Sequence, residues 1–65
     1  MHLEVEQEED GRWLAEATGL PGVMAYGCSR ADAIAKVETL ALRVLADRLE
    51  HGERAPELDR LFTAA

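Results

Sequence analysis

Cysteine is almost absent from this 65-residue chain, which limits how so small a protein can be stabilised. The single Cys28 excludes a disulfide within the chain, and one cysteine with two distant histidines is too small a set for a zinc site. A chain of this length buries only about 60% of the surface that its unfolded form exposes, so a monomer would be marginally stable. Without a disulfide or a metal, we expect association with a second copy to supply the missing stability.

Basic residues and long apolar runs are also scarce. Seven lysines and arginines against thirteen acidic residues give a formal net charge of −6, which disfavours contacts with phosphates. We therefore expect no direct binding of nucleic acid. The charge either suits a basic protein partner or only keeps a small protein soluble. No run approaches the roughly 20 apolar residues of a membrane span, and no secretory signal is visible, which predicts a cytoplasmic protein that does not bind membranes.

The N-terminal residues alternate with the period of two that is typical of half-buried strands. Residues 2–8 form the first run and residues 12–17 the second, and a three-residue loop ending in Gly11 joins them as an antiparallel hairpin. A loop of two or four residues would shift the register by one and place Glu16 among the apolar residues. The predicted register puts five apolar residues on one face: Leu3, Val5, Trp13, Ala15 and Ala17.

A Leu-Pro-Gly sequence ends the second strand. Pro21 suits the second position of a β-turn and Gly22 can take the positive φ of the third, which predicts a type II turn. Residues 23–27 then form a short third strand, and the short connections favour an antiparallel meander. The strand is predicted to alternate between the core and the opposite side, with Val23 and Ala25 inward and Met24 and Tyr26 outward.

A long helix is predicted from Ser29 to about His51. Ser29 with Asp32 three residues later is typical of a helix N-cap, and Gly52 suits the left-handed residue that follows a helix. The helix side facing the sheet is predicted to comprise Ile34, Val37, Ala41, Val44, Leu45 and Leu49. Additional apolar residues make this stripe wider than a three-stranded sheet can cover. We assign them, with one exposed aromatic residue, to a homodimer interface: Leu40, Leu42, Ala46 and Tyr26.

The C-terminal residues have helical spacing over a segment too short to be stable alone, at Leu58, Leu61, Phe62 and Ala65. Either a short helix or a fourth strand fits them. The predicted fold class is therefore α+β, a three-stranded antiparallel meander packed on one long helix. We expect one domain over residues 1–65, with no separate DNA-binding domain.

No group of polar residues has the spacing of a catalytic or cofactor site. Glu4, Glu6 and Glu8 would project about 7 Å apart on one side of a strand, without the additional ligands of a cation site. Cys28 precedes a helix N-terminus, where a thiol can be activated, but no histidine is near it in sequence, so a packing role is favoured. Phosphate-binding loops and nucleophile motifs are absent. We predict no enzymatic activity, no metal and no cofactor.

Three segments between residues 9 and 33 follow one another: Glu-Asp-Gly-Arg-Trp-Leu-Ala-Glu, Thr-Gly-Leu-Pro-Gly-Val and Tyr-Gly-Cys-Ser-Arg-Ala-Asp-Ala. In order and spacing they resemble the core of the HicB-like antitoxin family. Its pattern is an acidic-Gly turn, an aromatic strand, a Leu-Pro-Gly turn, a short strand ending in Gly and a capped helix. The sequence departs from the family at residues 17–19, where members usually have Phe-Pro-Asp or similar, and at Cys28, where a polar residue is usual.

The resemblance implies a β-β-β-α fold similar to part of ribonuclease H, without implying ribonuclease activity. HicB-like antitoxins neutralise a small basic HicA-type toxin, which cleaves messenger RNA, by covering its active site. On this hypothesis the contact surface lies near the hairpin, at Glu9, Asp10, Trp13 and Glu16. The alternative hypothesis is a solitary structural or regulatory homo-oligomer with no toxin partner.

Overall fold

The computed structural model describes residues 1–64 and has an α+β architecture. Its elements are β1 (Leu3–Gln7), β2 (Trp13–Ala17), β3 (Met24–Gly27), α1 (Arg30–Glu50) and α2 (Pro56–Leu61). The strands form one antiparallel sheet in the order β1-β2-β3, which confirms the predicted fold class. The C-terminal segment, for which a helix and a strand were both open, is the helix α2, and Ala65 lies outside the described residues.

The register of β1 and β2 is the one that a three-residue loop sets. Val5 lies opposite Ala15, as predicted. Gly11 takes a φ of +92° and donates its N–H to the Glu8 carbonyl at 3.0 Å, so its position requires the left-handed region that glycine tolerates. The five apolar residues predicted to share a face all belong to the core or pack against it: Leu3, Val5, Trp13, Ala15 and Ala17.

The turn before β3 has the predicted type II geometry. The N–H of Val23 donates to the Leu20 carbonyl at 3.0 Å, and Gly22 has a φ of +83°. β3 begins at residue 24, one residue later than predicted, but its alternation is as expected. Val23 is buried, whereas Met24 and Tyr26 are each 45% exposed on the other side of the sheet.

Both ends of α1 are closed by the residues that the sequence indicated. The Ser29 hydroxyl accepts the N–H of Asp32 at 3.0 Å, and the Asp32 carboxylate accepts the backbone N–H of Cys28 at 3.0 Å. At the other end Gly52 has a φ of +79°, and the next residue donates its N–H to the Arg48 carbonyl at 2.9 Å. This is the hydrogen bond of a Schellman motif, which satisfies a carbonyl that the helix leaves free.

The buried side of α1 differs from the predicted side at three positions. Ile34 was assigned to the core but is half-buried and outside it, because the helix turns Ala33 toward the sheet instead. Leu49 was assigned to the core but is 46% exposed, because α1 is longer than the sheet that it covers. Its 21 residues span about 31 Å, whereas a five-residue strand spans about 17 Å. Ala33 was not assigned to the core but is fully buried, since α1 passes very close to β3 at Gly27. The buried residues of α1 are Ala33, Val37, Ala41 and Leu45.

The overhanging helix makes the molecule elongated, with extents of 45 × 22 × 15 Å. Its radius of gyration is 13.2 Å, whereas a compact domain of this length has about 10.7 Å. The accessible surface is 4733 Å², compared with about 4100 Å² expected for a compact monomer of 7.2 kDa. A single copy therefore leaves roughly 600 Å² more surface in water than a compact protein of its size.

Candidate functional site

The sheet packs against α1 with one face and exposes the other. Residues that point away from α1 alternate along each strand with those of the core. They are Glu4 and Glu6 in β1, Leu14 and Glu16 in β2, and Met24 and Tyr26 in β3. We call these six residues the open sheet face. They form two rows across the strands, so the face is one continuous surface.

The charged residues among the six of the open sheet face are all acidic. Glu4 lies directly opposite Glu16, an arrangement of like charges that destabilises a sheet. Within residues 1–64, neither of these residues nor Glu6 forms an ion pair. The apolar residues Leu14, Met24 and Tyr26 lie on the β3 side of this face, and the carboxylates lie beside them on β1 and at Glu16. Carboxylates next to apolar and aromatic side chains are suited to a basic protein surface.

The hairpin loop lies beside the open sheet face and is stiffened by Arg12. The Arg12 backbone N–H and Nε donate to the Asp10 carboxylate at 3.0 and 2.7 Å, and these bonds hold the pKa of Asp10 below its usual range. The guanidinium also lies 4.3 Å from the centre of the Tyr26 ring. The hairpin tip is thus oriented by contacts that reach the outer strand of the sheet.

The four residues predicted to contact a partner lie on different sides of the molecule. Glu9 and Asp10 are exposed at the hairpin tip. Glu16 belongs to the open sheet face, whereas Trp13 is half-buried on the α1 side and packs against the core. The predicted contact set omitted Glu4, Glu6, Leu14 and Met24, although the predicted alternation placed them on the side away from the core. The alternation of the three strands, read with their register, was the signal that could have grouped them with Glu16.

The four residues predicted to form a homodimer interface also separate. Leu42 is 57% exposed and Ala46 is exposed on α1, but Leu40 is half-buried against the core. Tyr26 lies on the opposite side of the sheet from α1. One contact with a second copy therefore would not use all four.

Leu42 contributes to a second surface, which we call the apolar groove. This depression of about 340 Å³ lies between α1, α2 and the start of β1. It is lined by Met1, Leu3, Glu38, Ala41, Leu42, Leu45, Glu57, Arg60 and Leu61. Apolar side chains form its floor, and charged residues of both signs are among its lining.

The groups of greatest chemical interest in the described part of the chain are its His, Cys, Asp and Glu side chains. Within residues 1–64 no three His, Cys, Asp or Glu residues are placed to hold a metal ion, and no polar or charged side chain is buried. Cys28 is exposed, with its Sγ 3.5 Å from the Asp32 carboxylate. That carboxylate is held in its charged form, since the Cys28 N–H and Lys36 Nζ, each 3.0 Å away, lower the pKa of Asp32.

Neither helix of the described residues has the length and apolar character needed to cross a membrane. Comparisons of the chain with protein-family models, with curated proteins and with solved structures give no match. The observations that bear on function are therefore the fold, the open sheet face, the apolar groove and the resemblance of residues 9–33 to the HicB-like antitoxin family.

Proposed function

We propose that this chain is a HicB-like antitoxin that covers the active site of a small basic HicA-type toxin, which cleaves messenger RNA. The observation that carries the proposal is the open sheet face, an exposed surface with three carboxylates, at whose edge the guanidinium of Arg12 is already paired with Asp10. The β-β-β-α order agrees with the fold that the family resemblance implies. The proposed site of action is the cytoplasm, where such a toxin meets its RNA substrate.

The charge of the open sheet face is suited to competition with RNA. A protein that binds RNA places Lys and Arg against phosphates, and carboxylates can occupy the same cationic positions. Glu4 and Glu16 repel each other across the strands in the free protein. A cation from the partner placed between them turns this repulsion into attraction, so the pair contributes more to binding than two isolated carboxylates.

The apolar residues on the β3 side of the open sheet face supply the non-electrostatic part of the contact. Met24 and Tyr26 are each 45% exposed, and both residue types are enriched in protein interfaces. Tyr26 is held from one side by Arg12, which limits the conformations that it must lose on binding. In this proposal these two side chains anchor the partner and the carboxylates orient it.

On this proposal the reading frame next to that of this chain encodes a short basic protein, and the experiment uses that protein. This protein is purified, its cleavage of RNA is measured, and the chain is added at increasing molar ratio. We expect inhibition that is complete near equimolar amounts. Substitution of both Glu4 and Glu16 by glutamine should weaken the complex, and raising the salt concentration should weaken the wild-type complex more than the variant.

The matched control is Glu50→Gln, which removes one exposed carboxylate at the end of α1, away from the sheet. It should inhibit as the wild type does. Cleavage that continues at every ratio of the wild-type chain would contradict the proposal. Inhibition that is lost equally in the control and in the sheet variants would contradict the role of the open sheet face.

The alternative function is a homo-oligomer with a structural or regulatory role and no toxin. The elongated shape and the roughly 600 Å² of additional surface favour self-association independently of any toxin. A neighbouring basic protein that does not cleave RNA, together with a stable oligomer, would favour this function over the first.

A further inference from the structure

Along β1 the sheet has an edge that no other strand of residues 1–64 covers. In an antiparallel pair, the backbone groups of successive residues point alternately toward the neighbouring strand and away from it. The Glu8 N–H donates to the Arg12 carbonyl at 2.7 Å, so the even-numbered residues of β1 face β2. The residues whose backbone N–H and C=O point away from the sheet are Leu3, Val5 and Gln7. Outside the pair of β1 and β2, no backbone group of residues 1–64 bonds to them.

The edge along β3 is shorter and partly satisfied. The Val23 carbonyl accepts the N–H of Ala17, so the backbone groups that point outward from β3 belong to Met24 and Tyr26. The next outward N–H, that of Cys28, already donates to the Asp32 carboxylate at 3.0 Å. The edge along β1 is therefore the one with more free backbone groups.

The side of β1 that faces α1 is only partly covered. Leu3 and Val5 pack against the core but are half-buried, whereas Ala15 and Ala17 beside them in β2 are fully buried. The apolar groove opens next to Leu3, between α1 and α2. A strand added to this edge would lie about 4.8 Å from β1 and would place every second side chain beside this half-covered apolar area. Apolar side chains suit those positions.

The other side of β1 indicates the charge of an added strand. Glu4 and Glu6 point away from α1, and neither forms an ion pair within residues 1–64. Side chains opposite them on an added strand would lie about 5 Å away, so lysine or arginine is favoured there and acidic residues are repelled. The β1 strand of a second copy would bring the same glutamates to this edge, which disfavours pairing between copies.

We propose that β1 binds an extended segment of a partner protein as a fourth strand, and that this segment alternates apolar with basic residues. Its backbone bonds to the outward groups of Leu3, Val5 and Gln7. Its apolar side chains cover Leu3 and Val5 at the mouth of the apolar groove, and its basic side chains pair with Glu4 and Glu6. In strand addition the main-chain hydrogen bonds supply affinity and the alternate side chains supply specificity.

The first test is amide hydrogen exchange of the full chain, measured by NMR. In the free protein the N–H groups of Leu3, Val5 and Gln7 should exchange faster than those of Glu4 and Glu6, because only the latter bond to β2. The probe is a synthetic peptide of about seven residues that alternates lysine with valine, which is long enough to span β1. At a saturating peptide concentration, exchange of the three outward N–H groups should slow about tenfold or more.

Control peptides separate backbone pairing from attraction between charges. One has the composition of the probe with its lysines and valines in two blocks, and another alternates glutamate with valine; neither should protect the outward N–H groups. Two further peptides keep the sequence of the probe and carry N-methyl groups on either the valines or the lysines. Only one set of N–H groups can face β1 in a strand, so one of these peptides should fail and the other should bind.

A pair of variants tests the same edge from the side of the protein. Gln7→Pro removes an outward N–H at an exposed residue and leaves the bonds between β1 and β2 in place, since proline is tolerated at the edge of a sheet. It should weaken binding of the probe about fivefold or more. The matched control is Gln7→Ala, which should bind as the wild type does. Both variants lose the 3.3 Å bond from the Gln7 side chain to the Gly11 carbonyl, so its loss cannot account for a difference.

Several results would overturn the proposal. They are outward N–H groups that the probe leaves unprotected, a block peptide that binds as well as the probe, and two N-methylated peptides that bind equally. Protection of the same N–H groups that rises with protein concentration in the absence of peptide would show a second copy at this edge instead. The proposal does not rest on the antitoxin function, because the peptide measurements use no toxin and a failure to inhibit RNA cleavage would leave them unchanged.

Discussion

Replacement of Gly27 by alanine should destabilise the fold severely, although it adds only one methyl group. Gly27 ends β3 where α1 passes over it, and its φ is not positive, so the reason for glycine is space. An added Cβ would collide with the backbone nitrogen of Ala33 and would lie 2.7 Å from its Cα. Carbon atoms in contact are normally about 3.5 Å or more apart, so α1 would have to move by about 1 Å along its first turns.

The size of the effect follows from which atoms are in contact. Overpacking usually costs 1–3 kcal/mol when side chains can change conformation. Here both partners are backbone atoms, which have no alternative rotamer, so we expect a loss at the upper end, about 3 kcal/mol. A 65-residue domain has a total stability of only about 3–10 kcal/mol. The variant should therefore be partly unfolded at 37 °C.

The assay is urea unfolding followed by the fluorescence of Trp13, the only tryptophan, at one fixed protein concentration. The matched control is Gly22→Ala, where φ is +83° and no atom lies within 4 Å of an added Cβ. This change carries only the cost of the left-handed backbone, about 1–2 kcal/mol. A Gly27→Ala variant that loses less than about 1 kcal/mol, or less than the control, would refute the close contact of β3 and α1.

Three further predictions concern the N-terminal end of α1 and the open sheet face. Ser29→Ala removes the acceptor for the Asp32 N–H and should lower the free energy of unfolding by about 1 kcal/mol in urea, with Ser29→Asp close to the wild type. Because folding lowers the pKa of Asp32 below 3.8, the stabilising effect of this carboxylate is fully present above pH 3.8 and is lost as the pH falls through its folded-state pKa. The free energy of unfolding, measured from pH 6 to 2, should therefore depend less steeply on pH for Asp32→Asn than for the wild type. Glu4→Gln and Glu16→Gln should each raise the stability of the isolated chain by about 0.2–1 kcal/mol, since they remove a like-charge pair, although both weaken the proposed contact with a basic protein. A loss of stability in either would show that these carboxylates do not repel each other.

The features that the sequence predicted correctly are those fixed by a few neighbouring residues. Gly11 determines the length of the hairpin loop, and the loop length then determines which residues lie opposite each other. Pro21 with Gly22 determines the type II turn, and Ser29 with Asp32 determines where α1 begins, in each case through contacts within a few residues. These features do not depend on how the sheet and the helix pack together, so neighbouring residues are sufficient to predict them.

The features that the sequence did not predict depend on distances between elements. Ala33 is buried because α1 approaches β3 closely, and Leu49 is exposed because α1 extends past the sheet. Neither the approach nor the overhang is encoded in the periodicity of a single segment. The open sheet face was not chosen as the contact surface, although the predicted register already placed Glu4 and Glu16 on the side away from the apolar residues. The periodicity of the strands does not show whether another element covers that side.

The order of the strands and the helix affects how the chain folds. Each strand pairs with the strand that follows it, and α1 comes directly after the last one, so only short loops must close during folding. Proteins with such local topology fold in milliseconds or faster. The hairpin of β1 and β2 leaves the ribosome before α1 but is marginally stable alone, so we expect the open sheet face to form only when α1 covers the other side of the sheet.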